Sequence, residues 1–175
     1  MWKPLRKGVV LTGIAATAVL LSGGMAHAEP TPPPPVVTEV LTPRAAFTDD
    51  ASMQVRLNVD GHSTDVIKTA DLSHIVTNKV TVQPGGQIPW HTHHGPVFVT
   101  IVEGELTYLS SEGCTSHRYG AGTAFVDPGH GHVHMAYDSG PTPTVFVATF
   151  FEVPGGTAPV GIPAQGPANC KIPES

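Results

Sequence analysis

The chain has 175 residues, which is enough for one domain of ordinary size and too few for two. Only 13% of the residues are charged, and 14 acidic side chains outnumber 9 basic ones, so the formal net charge is −5. Because the sequence has no cluster of lysine and arginine, it argues against nucleic acid and anionic membrane surfaces as partners.

The first 28 residues have the pattern of a cleavable signal peptide. A basic start precedes an apolar stretch from Val9 to Leu21, and small residues end the segment at Ala28. The apolar stretch is short for a membrane span. We therefore expect residues 1–28 to be removed, leaving a secreted or periplasmic chain of formal charge −8 with no membrane contact. An uncleaved membrane anchor is the alternative.

Segments rich in proline flank the rest of the chain. Polyproline is stiff and does not join a packed core, so residues 29–45 are predicted to be a linker. Residues 154–175, rich in Pro and Gly, are predicted to run irregularly over the surface as a C-terminal tail. In an exported chain the two cysteines, Cys114 and Cys170, are predicted to form a disulfide that ties this tail to the body. Two free thiols are the alternative.

Residues 46–153 show a hydrophobic pattern with a period of two. Short runs of β-branched and aromatic residues are bounded by Gly and Pro turns. The clearest runs are 53–59, 74–82, 97–102, 105–109, 123–126, 132–137 and 144–153. No window has a helical stripe of useful length. This pattern predicts an all-β sandwich or barrel.

Six histidines lie in two short clusters. They are His91, His93, His94, His130, His132 and His134. Because side chains alternate along a strand, His91 and His93 share one face and His94 points away from them. By the same rule His132 and His134 share a face. If both pairs face the inside of one barrel, their imidazoles converge, which is typical of a site for Zn, Cu, Fe or Ni. Two surface strands with outward polar residues are the alternative.

The first cluster resembles the first motif of the cupin superfamily. That motif has a glycine, five residues, an H-x-H pair, then a glutamate and a closing glycine. Here Gly85 precedes "GQIPW" and the pair His91 and His93. Gly104 closes the motif in the turn "VEGEL".

The second cluster resembles the second cupin motif, a glycine, five residues, P-x-G-x-x-H and an asparagine. Here Gly122 and "TAFVD" lead to Pro128. Gly131, His134 and Asp138 follow, with one extra residue after Pro128 and with aspartate in place of asparagine. The resemblance covers residues 53–153 and implies a cupin-type double-stranded β-helix, a jelly-roll barrel.

The chain departs from the cupin pattern at one ligand position. Val97 stands where most metal-binding cupins carry a glutamate. The resemblance therefore implies a site made of His91, His93 and His134 alone, with positions open to water, oxygen or substrate. Its cofactor would be a divalent transition metal, with Fe, Mn, Ni, Cu and Zn all candidates.

Three further residues are candidates for the same site. His132 shares the face of His134 and is a candidate fourth ligand. Val97 and His130 are candidates for lining a substrate pocket, the latter from a turn at the barrel mouth. The sequence assigns no catalytic residue.

Two functions from different classes stay open. The resemblance implies an exported metal-dependent oxidoreductase acting on a small molecule, since three-histidine cupins include dioxygenases. The alternative is a non-catalytic module that binds a small ligand, a metal or a partner protein, because one fold serves many functions. The family resemblance also leaves a homodimer open.

Overall fold

The computed structural model describes residues 35–57, 65–69, 72, 74–155 and 160–171. The predicted signal peptide and residues 29–34 lie outside this part of the chain. Within it the secondary structure consists of strands, and no helix is long and apolar enough to cross a membrane. The prediction of an all-β fold is confirmed.

Twelve strands follow one another along the described residues. They are β1 (Val36–Ala45), β2 (Met53–Leu57), β3 (Asp65–Thr69), β4 (Ile75–Val82), β5 (Gln87–Thr92), β6 (Val97–Glu103), β7 (Glu105–Ser110), β8 (Ser116–Gly120), β9 (Ala124–Asp127), β10 (His134–Asp138), β11 (Thr144–Phe150) and β12 (Ile162–Pro163).

Ten of these strands form two five-stranded antiparallel sheets. The first has the order β1-β4-β11-β6-β9, and the second has the order β12-β5-β10-β7-β8. Strands β2 and β3 pair only with each other. Non-consecutive strands lie side by side in both sheets, as in a jelly roll, so residues far apart in sequence meet between the sheets.

The core lies between the two sheets and follows from the alternation along each strand. In β4, Val76, Asn78, Val80 and Val82 are buried while Lys79 is exposed. The buried cluster draws on both sheets, with Val97, Val99, Ile101, Phe146, Ala148 and Phe150 from the first and Leu106 and Ala136 from the second. Burying such side chains contributes about 1.5–3 kcal/mol each, so the barrel rests on this apolar alternation.

The N-terminal boundary of the domain differs from the prediction. Residues 36–45 form β1, which pairs with β4 from Val36↔Val82 to Ala45↔Ile75. The prediction of a linker over 29–45 is therefore wrong from Val36 onward. The proline run ends at Pro35, and the single Pro43 is tolerated because β1 is an edge strand with register shifts on both sides of Thr42.

The C-terminal tail also differs from the prediction in part. Residues 160–171, here called the C-terminal strap, include β12, which pairs with β5 at Thr92 and His91. The Ala164 N–H extends this contact by donating to the Trp90 carbonyl oxygen at 3.0 Å. An irregular tail is therefore wrong for Ile162–Pro163, which pair with the free edge of β5, while the rest of residues 160–171 has no regular secondary structure.

A disulfide fixes the far end of the C-terminal strap. Cys170 is bonded to Cys114, in the turn between β7 and β8, and the predicted pairing is confirmed. Between the bridge and β12, the backbone at Gly166 packs against the Trp90 ring, where an added Cβ would lie 2.2 Å from the indole. The strap is thus held to the second sheet at both ends.

Candidate metal centre

The structure brings His91, His93 and His134 together between the two sheets. His91 lies directly opposite His134 in the β5–β10 pairing, and His93 follows the end of β5. One ring nitrogen from each residue lies within 4.8 Å of the others. The ring centroids are 4.2–5.2 Å apart. This is the set of three histidines that strand alternation and the motif resemblance had selected.

Backbone carbonyls orient two of the three rings. The His91 Nδ1 lies 2.7 Å from the Pro89 carbonyl oxygen, and the His93 Nδ1 lies 2.7 Å from that of Val160. A carbonyl oxygen only accepts, so each Nδ1 carries the proton and donates. The lone pair on each Nε2 is then free for a metal, which is the arrangement that metal-binding histidines usually have.

The three rings are neutral at neutral pH. Burial lowers the pKa of His91, and the neighbouring His93 lowers it further. Burial likewise lowers the pKa of His93. For His134, burial first and then the two other rings lower the pKa to about 2. Neutral imidazole is the form that binds a metal, so the donor set fits a divalent transition metal.

An apolar cavity adjoins the histidines. It has a volume of about 350 Å³ and is lined by both sheets. Its apolar wall includes Val80, Val97, Val99, Leu106, Phe146 and Ala148. The C-terminal strap contributes Val160, Gly161 and Pro163 to the same wall. A cavity of this size, apolar with few polar groups, is typical of a site for a small molecule.

Asp127 is a residue of the site that sequence reasoning missed. It is 1% exposed at the end of β9, lines the cavity, and places its Oδ2 3.1 Å from the His134 Nδ1. The sequence contained a signal for this residue. Asp127 lies on the same face of the run "TAFVD" as Phe125, which also lines the cavity. A carboxylate on the apolar face of a strand requires a reason.

Two of the three further candidates, His132 and His130, lie away from the cavity. His132 precedes β10 instead of lying within it, and its ring contacts Ser110 at 3.3 Å and Glu112 at 3.7 Å. His130 lies in a turn with a positive φ, is exposed, and binds Glu152 at 2.6 Å. The assignments of His132 as a fourth ligand and His130 as a pocket residue are therefore not supported.

Strand alternation accounts for the two remaining residues. Val97 is 2% exposed and lines the cavity, as its position in the cupin motif implied. His94 is not among the residues around the cavity. Strand β5 ends at Thr92 and β10 begins at His134, so His94 and His132 both lie outside the strands.

The fold and the site together define a class, that of small double-sheet barrels with a histidine centre beside an internal cavity. Residues 78–150 match the model of the family described as Cupin domain. These residues run from β4 to β11 and include all three histidines of the centre. Over this part of the chain, the match supports the resemblance to the cupin superfamily.

Several solved structures are similar to this chain at low TM-scores. A cupin domain from Bordetella pertussis Tohama I is 18% identical, with 68% of this chain and 95% of that chain covered and a TM-score of 0.44. A polyketide cyclase from Streptomyces resistomycificus is 21% identical over 43% of this chain and 52% of the cyclase, with a TM-score of 0.40.

The oxalate decarboxylase of Bacillus subtilis, which contains Mn(II) centres, is 26% identical over 44% of this chain and 21% of that chain, with a TM-score of 0.41. This chain thus spans about half of the cyclase and a fifth of the decarboxylase. Likenesses this distant carry no argument about activity. Comparison with curated proteins gave no match.

Proposed function

We propose that this protein is an exported cupin that binds a divalent transition metal and acts on a small molecule as a metal-dependent oxidoreductase. The observation that carries the proposal is the convergence of His91, His93 and His134, with an acceptor beside the Nδ1 of each. Each ring would offer Nε2. Three neutral ligands leave coordination positions for a substrate, and the adjoining cavity supplies space for it.

The chain's own residues would bind the substrate and exclude water. A bound transition metal would supply Lewis-acid or redox chemistry. The apolar wall formed by Val97, Val99 and Phe146 would hold the apolar part of a small molecule beside the histidines. Phe150 packs against the His93 ring with centroids 5.2 Å apart, so the wall also shields the centre from solvent.

Oxygen uptake tests the oxidoreductase proposal. Protein loaded separately with Fe, Mn, Ni, Cu or Zn should consume dissolved oxygen with at least one diketone, phenol or thiol, as measured with an oxygen electrode. The uptake should require both metal and substrate, and metal-free protein should show none. His134→Ala protein treated with the same metals is the matched control, and uptake by this variant would point to free metal as the catalyst.

A non-catalytic binding module is the second candidate, and the apolar character of the cavity favours it. Few of the side chains around the cavity could move a proton, since most are aliphatic or aromatic. Calorimetry with the same compounds separates the two functions. Saturable binding without oxygen uptake or product under any of the five metals would support the binding module and contradict the oxidoreductase.

Export is the remaining part of the proposal. The Cys114–Cys170 disulfide supports it, since disulfides persist mainly in oxidising compartments. The chain recovered from outside the cytoplasm should begin at Glu29, because the small-residue pattern ends at Ala28. Intact-mass measurement checks this. A mass that still includes residues 1–28 would contradict cleavage and favour the membrane anchor.

A further inference from the structure

Asp127 is a buried carboxylate whose two oxygens are both engaged. Its Oδ1 accepts a hydrogen bond from the Gly129 N–H at 2.9 Å. Its Oδ2 accepts one from the Tyr108 hydroxyl at 2.5 Å and lies 3.1 Å from the His134 Nδ1. Such a group is costly to bury unless donors or a cation compensate it. Here the Gly129 N–H and the Tyr108 hydroxyl supply one donor for each oxygen, and the His134 ring lies beside Oδ2.

Tyr108 ties Asp127 and His134 into one unit. Its ring stacks on the His134 ring with centroids 4.7 Å apart, while its hydroxyl donates to Asp127. Burial, and then the Asp127 charge, raise the pKa of Tyr108 far above its usual range, so the hydroxyl stays a donor. The carboxylate is therefore held in place on one side and faces the His134 ring on the other.

The register of the sheet explains how a carboxylate reaches this point. Asp127 on β9 lies directly opposite Val97 on β6, and both residues line the cavity. The Asp127 charge partly offsets the lowering of the pKa of His91 and of His93, so it acts on these two rings as well as on His134, 3.1 Å away. Its oxygens nevertheless lie outside the cluster of converging ligand atoms. This position suits a residue that acts through a ligand.

We propose that Asp127 is the positioning residue of the metal centre: it accepts the Nδ1 proton of His134, leaves Nε2 free for the metal, and offsets the cation's charge, with Tyr108 holding it in place. This rests on the proposed metal binding. It completes a pattern in which each of the three ligands has an acceptor at Nδ1, a carbonyl for two and a carboxylate for the third. Carboxylate–histidine–metal units of this kind raise the basicity of the ligand.

The His134–Asp127 contact is short but not aligned as a full hydrogen bond, since the His134 Nδ1 has no well-formed partner. Contacts of this kind are often poorly aligned before the ligand binds. The His132 backbone carbonyl also interacts with the His134 ring and is the competing acceptor. A test must therefore separate the carboxylate from this carbonyl.

The test uses Asp127→Asn, which keeps the shape and one acceptor oxygen but removes the charge, and Tyr108→Phe, which removes the donor that holds it. Co(II) affinity, measured by competition with a chromophoric chelator, should fall about 10–100-fold for Asp127→Asn and less for Tyr108→Phe. The visible spectrum of bound Co(II) should change in both. In metal-free wild-type protein, ¹⁵N shifts should show His134 with its proton on Nδ1, and Asp127→Asn should mix the tautomers.

Asp138→Asn is the matched control. Asp138 is also 1% exposed and caps the Gly140 N–H at 2.7 Å, but it is not among the residues around the cavity. This variant should leave Co(II) affinity and the His134 tautomer unchanged. Circular dichroism shows whether each variant is folded. If Asp127→Asn does not fold, the Co(II) affinity of Tyr108→Phe and the His134 tautomer in wild-type protein test the positioning role.

Three results would overturn the positioning role: wild-type affinity in both Asp127→Asn and Tyr108→Phe, a wild-type His134 with its proton on Nε2, or equal losses in Asp138→Asn. Asp127 would then serve only to cap the turn at Gly129. If wild-type protein does not bind Co(II), the proposed function fails instead. In that case the tautomer of His134 in metal-free protein still shows whether Asp127 accepts the Nδ1 proton.

Discussion

Replacing His134 with alanine should abolish tight metal binding, lowering Co(II) or Zn(II) affinity by more than about 100-fold, since loss of a ligand costs more than loss of its supporting partner. His91→Ala and His93→Ala should have effects of the same size, because the three rings converge within 4.8 Å. Elemental analysis after dialysis and chelator competition measure the loss. All three variants should still fold, because the core is formed by apolar residues of both sheets.

The neighbouring histidines supply matched controls for this prediction. His94 is adjacent to His93 but is not among the residues around the cavity, and His132 contacts Ser110 and Glu112. His94→Ala and His132→Ala should keep nearly the full metal content. Loss of metal in His94→Ala together with its retention in His93→Ala would show that the side-chain alternation around residues 91–94 is wrong and that the site must be rebuilt.

Removing the disulfide should destabilise the domain and loosen the centre. The bridge spans 56 residues of sequence, for which loop-closure entropy gives roughly 4 kcal/mol. Cys170→Ser should therefore lower the melting temperature by on the order of 10 °C. Because the C-terminal strap also brings the Val160 carbonyl to the His93 Nδ1, metal affinity should fall as well.

Calorimetric melting and chelator competition measure the two effects separately. The double variant Cys114→Ser/Cys170→Ser is the control for a lone reactive thiol, and it should behave like the single variant. Wild-type protein treated with a dithiol reductant should reproduce both changes. A melting point that falls while Co(II) affinity stays at the wild-type value would show that β12 holds the strap, and hence His93, without the bridge.

The class of fold followed from local pattern. The alternation seen in β4, β6 and β11, with Gly and Pro turns between runs, suffices for an all-β barrel, because inward and outward residues differ along every paired strand. Alternation placed His91 and His93 on one face and His134 on the same face as His132, and the resemblance to the cupin motifs singled out His91, His93 and His134. The prediction of the disulfide needed only the cysteine count and the expectation of export.

Other features were decided by partners distant in sequence. The edge strand β1 exists because β4 offers it a pairing partner, and the C-terminal strap follows the free edge of β5 for the same reason. No local pattern marks either segment, since Pro43 and the proline-rich tail indicate linkers. Strand pairing supplies backbone hydrogen bonds that override such weak local preferences.

The role of each polar residue around the histidines likewise depended on the tertiary structure. His130 and His132 lie in a turn, where alternation no longer predicts direction, so one faces Glu152 and the other faces Ser110. Asp127 reaches His134 because β9 pairs with β6 while β10 lies in the opposite sheet. By itself the sequence determined the fold and the three histidines. Contacts between sheets, which no single strand encodes, decided which carboxylate stands behind them.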